Sequence, residues 1–136
     1  MNIPAHPDSK THSLATAIGA AACNMGMHMR FFRTAALVNQ LSNARKEDDL
    51  ARFLKQLHKL DLLICDEWSY IPLERDGSQL LFEVISDCYE RHSVIIITNL
   101  EFSKWVNIFY DAQMTAALID RLVHHSHLLI FDGASR

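Results

Sequence analysis

Two short apolar runs, each followed at once by polar residues, restrict this chain more than any other feature. Leu62-Leu63-Ile64-Cys65 stops at Asp66-Glu67, and Val94-Ile95-Ile96-Ile97 stops at Thr98-Asn99. Strands this short and this continuously apolar are buried on both faces, as in a parallel sheet covered by helices on either side. Parallel neighbours need long crossovers between them, which are usually helical. The residues between the two runs meet that need. Over 78–91, Leu81, Val84, Ile85 and Cys88 recur at helical spacing, and Pro72 and Gly77 punctuate the loop before them.

The same alternation extends in both directions. Residues 14–24 are small and apolar, as suits a helix packed closely on a sheet. Met27 to Arg33 is strand-like. Thr34 is placed to cap a helix from Ala35 to about Arg45, with Leu37, Val38 and Leu41 inward. Residues 47–59 read as a second amphipathic helix. Glu47, Asp48 and Asp49 fall in its first turn and His58 and Lys59 in its last, as the helix dipole favours. Helices are expected near 102–109 and 112–124, and a last strand at His127–Phe131. The fold class is therefore α/β, a three-layer parallel sheet with flanking helices, in a chain of 136 residues. Net charge is −3, so the chain as a whole is no basic nucleic-acid binder. Cys23, Cys65 and Cys88 are far apart and fit reduced cytoplasmic thiols. No apolar run is long enough to cross a bilayer.

In open parallel sheets, chemistry gathers at the carboxyl ends of the strands. An apolar run ending in Asp-Glu has the Walker B pattern. The Asp at the tip can hold the magnesium of a bound nucleotide, and the Glu can polarise an attacking water. Thr98-Asn99 at the neighbouring tip gives Asn99 the place of a water-orienting residue, sensor 1. A strand can also end in acids only because loops are polar, and the paired Thr-Asn tip is what favours the first reading. A nucleotide site of this kind also needs a phosphate loop, G-x-x-x-x-G-K-[ST]. The chain offers Pro4-Ala5-His6-Pro7-Asp8-Ser9-Lys10-Thr11, with the Lys-Thr pair but no glycine. Pro7 lacks an N–H, and Asp8 is negative where phosphate would sit. On the residues alone, Lys10-Thr11 reads as a pair at a helix start.

From Leu14 to Gly133 the sequence resembles the ATPase domain of the IstB-like transposition helpers, relatives of the DnaC helicase loader within the AAA+ class of P-loop NTPases. The match is carried by LATAIGAAAC (14–23), RFFRTAALVNQL (30–41), DLLICDEWSYIPL (61–73), LLFEVISDCYER (80–91), IIITNLEFSKW (95–105) and MTAALIDRLVHHSHLLIFDG (114–133). The resemblance implies ATP and Mg2+ as ligands, ATP hydrolysis, a homo-oligomer, and action on DNA with a transposase. It implies that Lys10 contacts the β- and γ-phosphates, Thr11 and Asp66 serve magnesium, Glu67 and Asn99 act on the water, and Arg121 reaches a neighbouring subunit's nucleotide. Family members carry G-K-T-H-L-A, where this chain has Lys10-Thr11-His12-Ser13-Leu14-Ala15 without the glycine. They also carry an N-terminal domain with no counterpart here. Residues 1–136 are thus expected to be one partial core domain with its first strand largely missing. Two functions follow: an ATP-binding helper, or a non-catalytic remnant that keeps the fold and binds nucleotide weakly or not at all.

Other clusters carry less. His124, His125 and His127 invite a metal, but adjacent helical residues diverge by about 100°, and a helix C-terminus favours histidine anyway. Arg30 and Arg33 flank Phe31-Phe32, and Arg45, Lys46, Arg52, Lys55 and Lys59 form a candidate basic face for DNA phosphates. Trp68 and Trp105 are expected near the strand rim. Cys65 is expected to be a small buried residue.

Overall fold

The computed structural model describes residues 8–68, 75–98, 100–109 and 111–125. Helix α1 (Asp8–Asn24) leads to strand β1 (Met29–Arg33), followed by helices α2 (Thr34–Lys46) and α3 (Leu50–His58). Strand β2 (Leu62–Asp66), helix α4 (Arg75–Arg91) and strand β3 (Ser93–Ile96) come next. A 3-10 turn at Phe102–Lys104 precedes the short α5 (Val106–Phe109) and the longer α6 (Ala112–His125). The last strand expected at His127–Phe131 lies outside the described residues.

The sheet is parallel with order β1-β2-β3. Its register sets Arg33 level with Asp66, and Cys65 level with Ile96, so the strand tips share one rim. Side chains of β2 alternate between two cores, because successive residues of a strand point to opposite faces. Leu62 and Ile64 face α1, packing with Ala15, Ala22 and Ile97. Leu63 and Cys65 face the larger core built by α2, α3, α4 and the aromatic residues of α5. Four consecutive residues of β2 are buried, which is why that run is apolar without alternation.

Leu81, Val84, Ile85 and Cys88 of α4 are buried, as their spacing predicts. Close approach decides two glycines. A Cβ on Gly77 would lie 2.7 Å from Val38 Cγ1, so α4 and α2 meet there almost backbone to side chain. A Cβ on Gly19 would lie 2.9 Å from the terminal methyl of Met29. At the start of α6, Asp111 accepts a hydrogen bond from Met114 N at 2.9 Å through Oδ1, which caps the helix.

Three expectations are corrected. The first helix begins at Asp8 rather than near Leu14. Thr34 does not cap α2: Arg33 occupies the cap position, with no side-chain cap, and Thr34 is the first helical residue. The acids at 47–49 precede α3 rather than form its first turn. Asp48 has φ 60° in the link between helices, and Asp49 stands at the N-cap without a side-chain cap bond. Its carboxylate accepts from Arg52 Nε at 2.8 Å instead, and that bond holds the Asp49 pKa below its ordinary value.

Candidate nucleotide site at the strand rim

Asp66 ends the most deeply buried strand and is itself half-buried, while Glu67 is exposed beside it. The chain turns sharply at this point. Glu67 has φ 55°, a left-handed conformation that non-glycine residues adopt rarely. Its N–H donates to Asp66 Oδ1 at 2.7 Å. The next amide, Trp68 N, donates to Ile97 O at 3.0 Å, and Ile97 N donates to Cys65 O at 2.9 Å. The acid pair is thus laced to the end of β3 by main-chain bonds on both sides.

Two hydroxyls complete the frame. Thr34, 3% exposed, donates from Oγ1 to Asp66 O at 2.9 Å. Thr98 donates to Trp68 O and accepts from Leu100 N at 2.9 Å. The Glu67 carboxylate meets Arg33 Nε at 3.2 Å, in an ion pair half open to solvent. Arg33 ends β1, on the opposite side of β2 from β3. This conformation therefore directs the Glu67 side chain toward the β1 tip.

Behind the rim, Trp68 is fully buried. Its ring centroid lies 5.0 Å from that of Trp105 and 5.9 Å from that of Phe109. Trp105 Nε1 donates to Leu100 O at 3.2 Å. Both tryptophans pack close behind the rim, as the sequence suggests. Cys65 is completely buried, and that burial pushes its thiol pKa far up; Cys88 is raised to about 11 for the same reason. Neither thiol is a nucleophile at neutral pH.

Of the residues picked from the sequence, Asp66, Glu67 and Thr98 come together. Lys10 and Thr11 lie in the first turn of α1, whose N-terminal N–H groups lack helical acceptors. Their side chains, Asn99, the side chains of His124 and His125, and His127 lie outside the described residues. Arg121 is exposed on α6, which packs mainly on α5 and α4. Of the candidate basic face, Arg45, Lys46, Lys55 and Lys59 are exposed, and Arg52 is held by Asp49. Among the described residues no helix is long and apolar enough to cross a membrane. Sequence reasoning missed Thr34 and Arg33 as members of the site. Their only signal was position, at the tip of the strand beside the acid pair.

The family model of IstB-like ATP binding proteins matches residues 6–136. The chain belongs to the IstB-like ATP-binding family. Among its IstB-like relatives, a Sinorhizobium fredii protein named as an insertion sequence ATP-binding protein is 44% identical over 117 residues, which are 86% of this chain and 39% of that protein. The IS21 ATP-binding protein of Pseudomonas aeruginosa is 37% identical over 93% of this chain and 47% of its own length. The IS5376 ATP-binding protein of Geobacillus stearothermophilus is likewise 37% identical, over 93% of this chain and 50% of its own length. The chain thus spans half or less of the length of these relatives. The structure of the DnaC helicase loader superposes with TM-score 0.68 at 20% identity, covering 90% of this chain and 72% of that one. AMPPCP-bound DnaA from Aquifex aeolicus superposes with TM-score 0.64 at 13% identity, over 74% of this chain and 31% of that one. These likenesses show the fold of this IstB-like chain to be that of the P-loop AAA+ proteins.

Proposed function

We propose that this chain is the ATP-binding core of a transposition helper that works on DNA with a transposase. The observation that carries the reading is the acid pair: two carboxylates at the tip of a central buried strand, laced to the neighbouring strand's end, in a chain of the IstB-like family. The residues fit a magnesium nucleotide at the carboxylate end. Asp66 offers hard oxygen donors at a half-buried rim, which suits magnesium. When bound, magnesium neutralises phosphate charge. Asp66 holds that ion together with Thr11. Lys10, in the first turn of α1, contacts the β- and γ-phosphates, and the helix N-terminus adds N–H donors. Glu67 accepts a proton from water, a role that requires its carboxylate to leave Arg33. Asn99 orients that water. Arg121, exposed on α6, reaches the nucleotide of a neighbouring subunit in a homo-oligomer.

A second reading has its own support. Residues 4–11 contain no glycine and place Asp8 next to the phosphates, and Glu67 is engaged by Arg33. In that reading the chain keeps the fold and has lost the nucleotide. Titration with a fluorescent ATP analogue and magnesium separates the two. Submillimolar binding, abolished by Lys10→Ala, supports the helper. No binding at millimolar nucleotide leaves the remnant. For DNA, filter retention that falls steeply with salt is expected from the basic residues of α2 and α3, and salt-insensitive or absent retention refutes that contact.

A further inference from the structure

We infer that Thr34 and Thr98 are positioning residues for the acid pair, their hydroxyls gripping the two carbonyls that flank Glu67 and holding that residue left-handed. The inference rests on the reading of Asp66 and Glu67 as the acids that serve the nucleotide.

A glutamate gains nothing intrinsic from φ 55°, because its Cβ crowds the following carbonyl there. Such a residue persists only where its surroundings fix it from several sides. Here the peptide unit before Glu67 is fastened through the Asp66 carbonyl, the unit after it through Trp68 N, and the next one through the Trp68 carbonyl. The Asp66 carbonyl accepts from Thr34 at 2.9 Å, and the Trp68 carbonyl accepts from Thr98. Trp68 N is fixed on Ile97 O, and the Trp68 ring is locked in the aromatic core. Thr34 does not serve its own element in the ordinary way. A hydroxyl in the first turn of a helix commonly caps its own backbone, yet the bond of Thr34 crosses to a strand 32 residues away. Thr98 has its direction set by a second bond. Because Leu100 N donates to its oxygen, the hydroxyl proton is left for Trp68 O. The two grips come from opposite sides of β2, from the ends of β1 and β3. Loosening either lets Glu67 relax to an ordinary backbone conformation and swings its carboxylate by more than the side chain can recover.

The test uses the full chain with Thr34→Val, Thr34→Ser, Thr98→Val and Thr98→Ser. Valine keeps the shape and removes the hydroxyl, and serine keeps the hydroxyl. The first readout needs no nucleotide: the backbone carbon shifts of Glu67 by NMR, left-handed in the wild type and both serine variants, and shifted out of that range in the valine variants. The second is magnesium-ATP turnover. We expect kcat to fall about a hundredfold in the valine variants, with KM moving less than about threefold, and serine to restore kcat. Thr34 is buried, so Thr34→Val is first checked for a cooperative melt; if it does not fold, the half-buried Thr98→Val decides. Valine variants with wild-type Glu67 shifts overturn the inference. So do serine variants as impaired as the valine ones, and a wild type whose Glu67 is not left-handed. A wild type that folds, shows left-handed Glu67 and turns over no ATP refutes the nucleotide reading instead, and the Glu67 shifts of the variants then decide the grip by themselves.

Discussion

Gly77→Ala should destabilise the protein, although alanine is the better helix former. Gly77 is the third residue of α4, and the methyl it lacks would sit 2.7 Å from Val38 Cγ1. Val38 is 4% exposed and β-branched, so it has little rotamer freedom with which to yield. Overpacking of this kind costs about 1–3 kcal/mol. The helical gain of alanine over glycine is at most about 1 kcal/mol, and less in a first turn. The net expectation is a loss of about 1–2 kcal/mol. In a Val38→Ala background the opposing methyl is gone, and the same substitution should be neutral or stabilise by up to about 1 kcal/mol. Urea denaturation followed by far-UV circular dichroism on the four proteins of this cycle gives the coupling directly. If Gly77→Ala raises the midpoint in the wild-type background, or shifts it equally in both, the contact between α2 and α4 is not as described.

Gly19→Ala should behave in the opposite way: its methyl crowds the flexible end of Met29 and meets Ile64 Cδ1 at an ordinary 3.5 Å, so an increase of up to about 1 kcal/mol in the same assay is expected. Asp111→Ala removes the cap of α6 and should cost about 1 kcal/mol, whereas Asp111→Asn, which can still accept from Met114 N, should keep most of the stability. Native thiol labelling should stop at one equivalent, at the exposed Cys23, and reach three only in denaturant. Burial raises the Cys88 thiol from 9.0 to about 11 and the Cys65 thiol further. Their contribution to stability is therefore complete below pH 9 and is lost as pH rises above it, because the unfolded thiols ionise first. A urea midpoint that does not fall between pH 8 and pH 10 in the wild type relative to a Cys65→Ala/Cys88→Ala protein would contradict this, where those pH values bracket the ordinary thiol range of about 8.5.

What the sequence made legible follows burial. Strands β2 and β3 announced themselves because apolar runs bounded by polar tips have few other uses, and α4 because its inward residues keep a 3.6-residue period. The acid pair was legible for the same reason, as the first polar residues after a buried run. What was not legible depends on partners distant in the chain. Thr34 has the composition of a helix cap, and only the register that sets Arg33 beside Asp66 shows where its hydroxyl goes. The Arg33–Glu67 pair depends on that same register. The acids at 47–49 misled because a negative charge suits both the first turn of a helix and the turn before it, and the φ of Asp48 decides between them. The early start of α1 was hidden because Ser9 to Ser13 carry no apolar period.

The tryptophan cluster has a practical consequence. The chain contains two tryptophans, and both are buried in one stack, with Trp68 directly after Glu67 in the chain. Among the described residues nothing accepts a hydrogen bond from Trp68 Nε1, so its indole sits in an apolar cage. All of the protein's indole emission therefore comes from one dry place against the strand rim, and its wavelength is set there. The molecule carries its own optical reporter, wired to the acid pair through a single peptide bond, and any ligand that moves Glu67 is open to detection without a label.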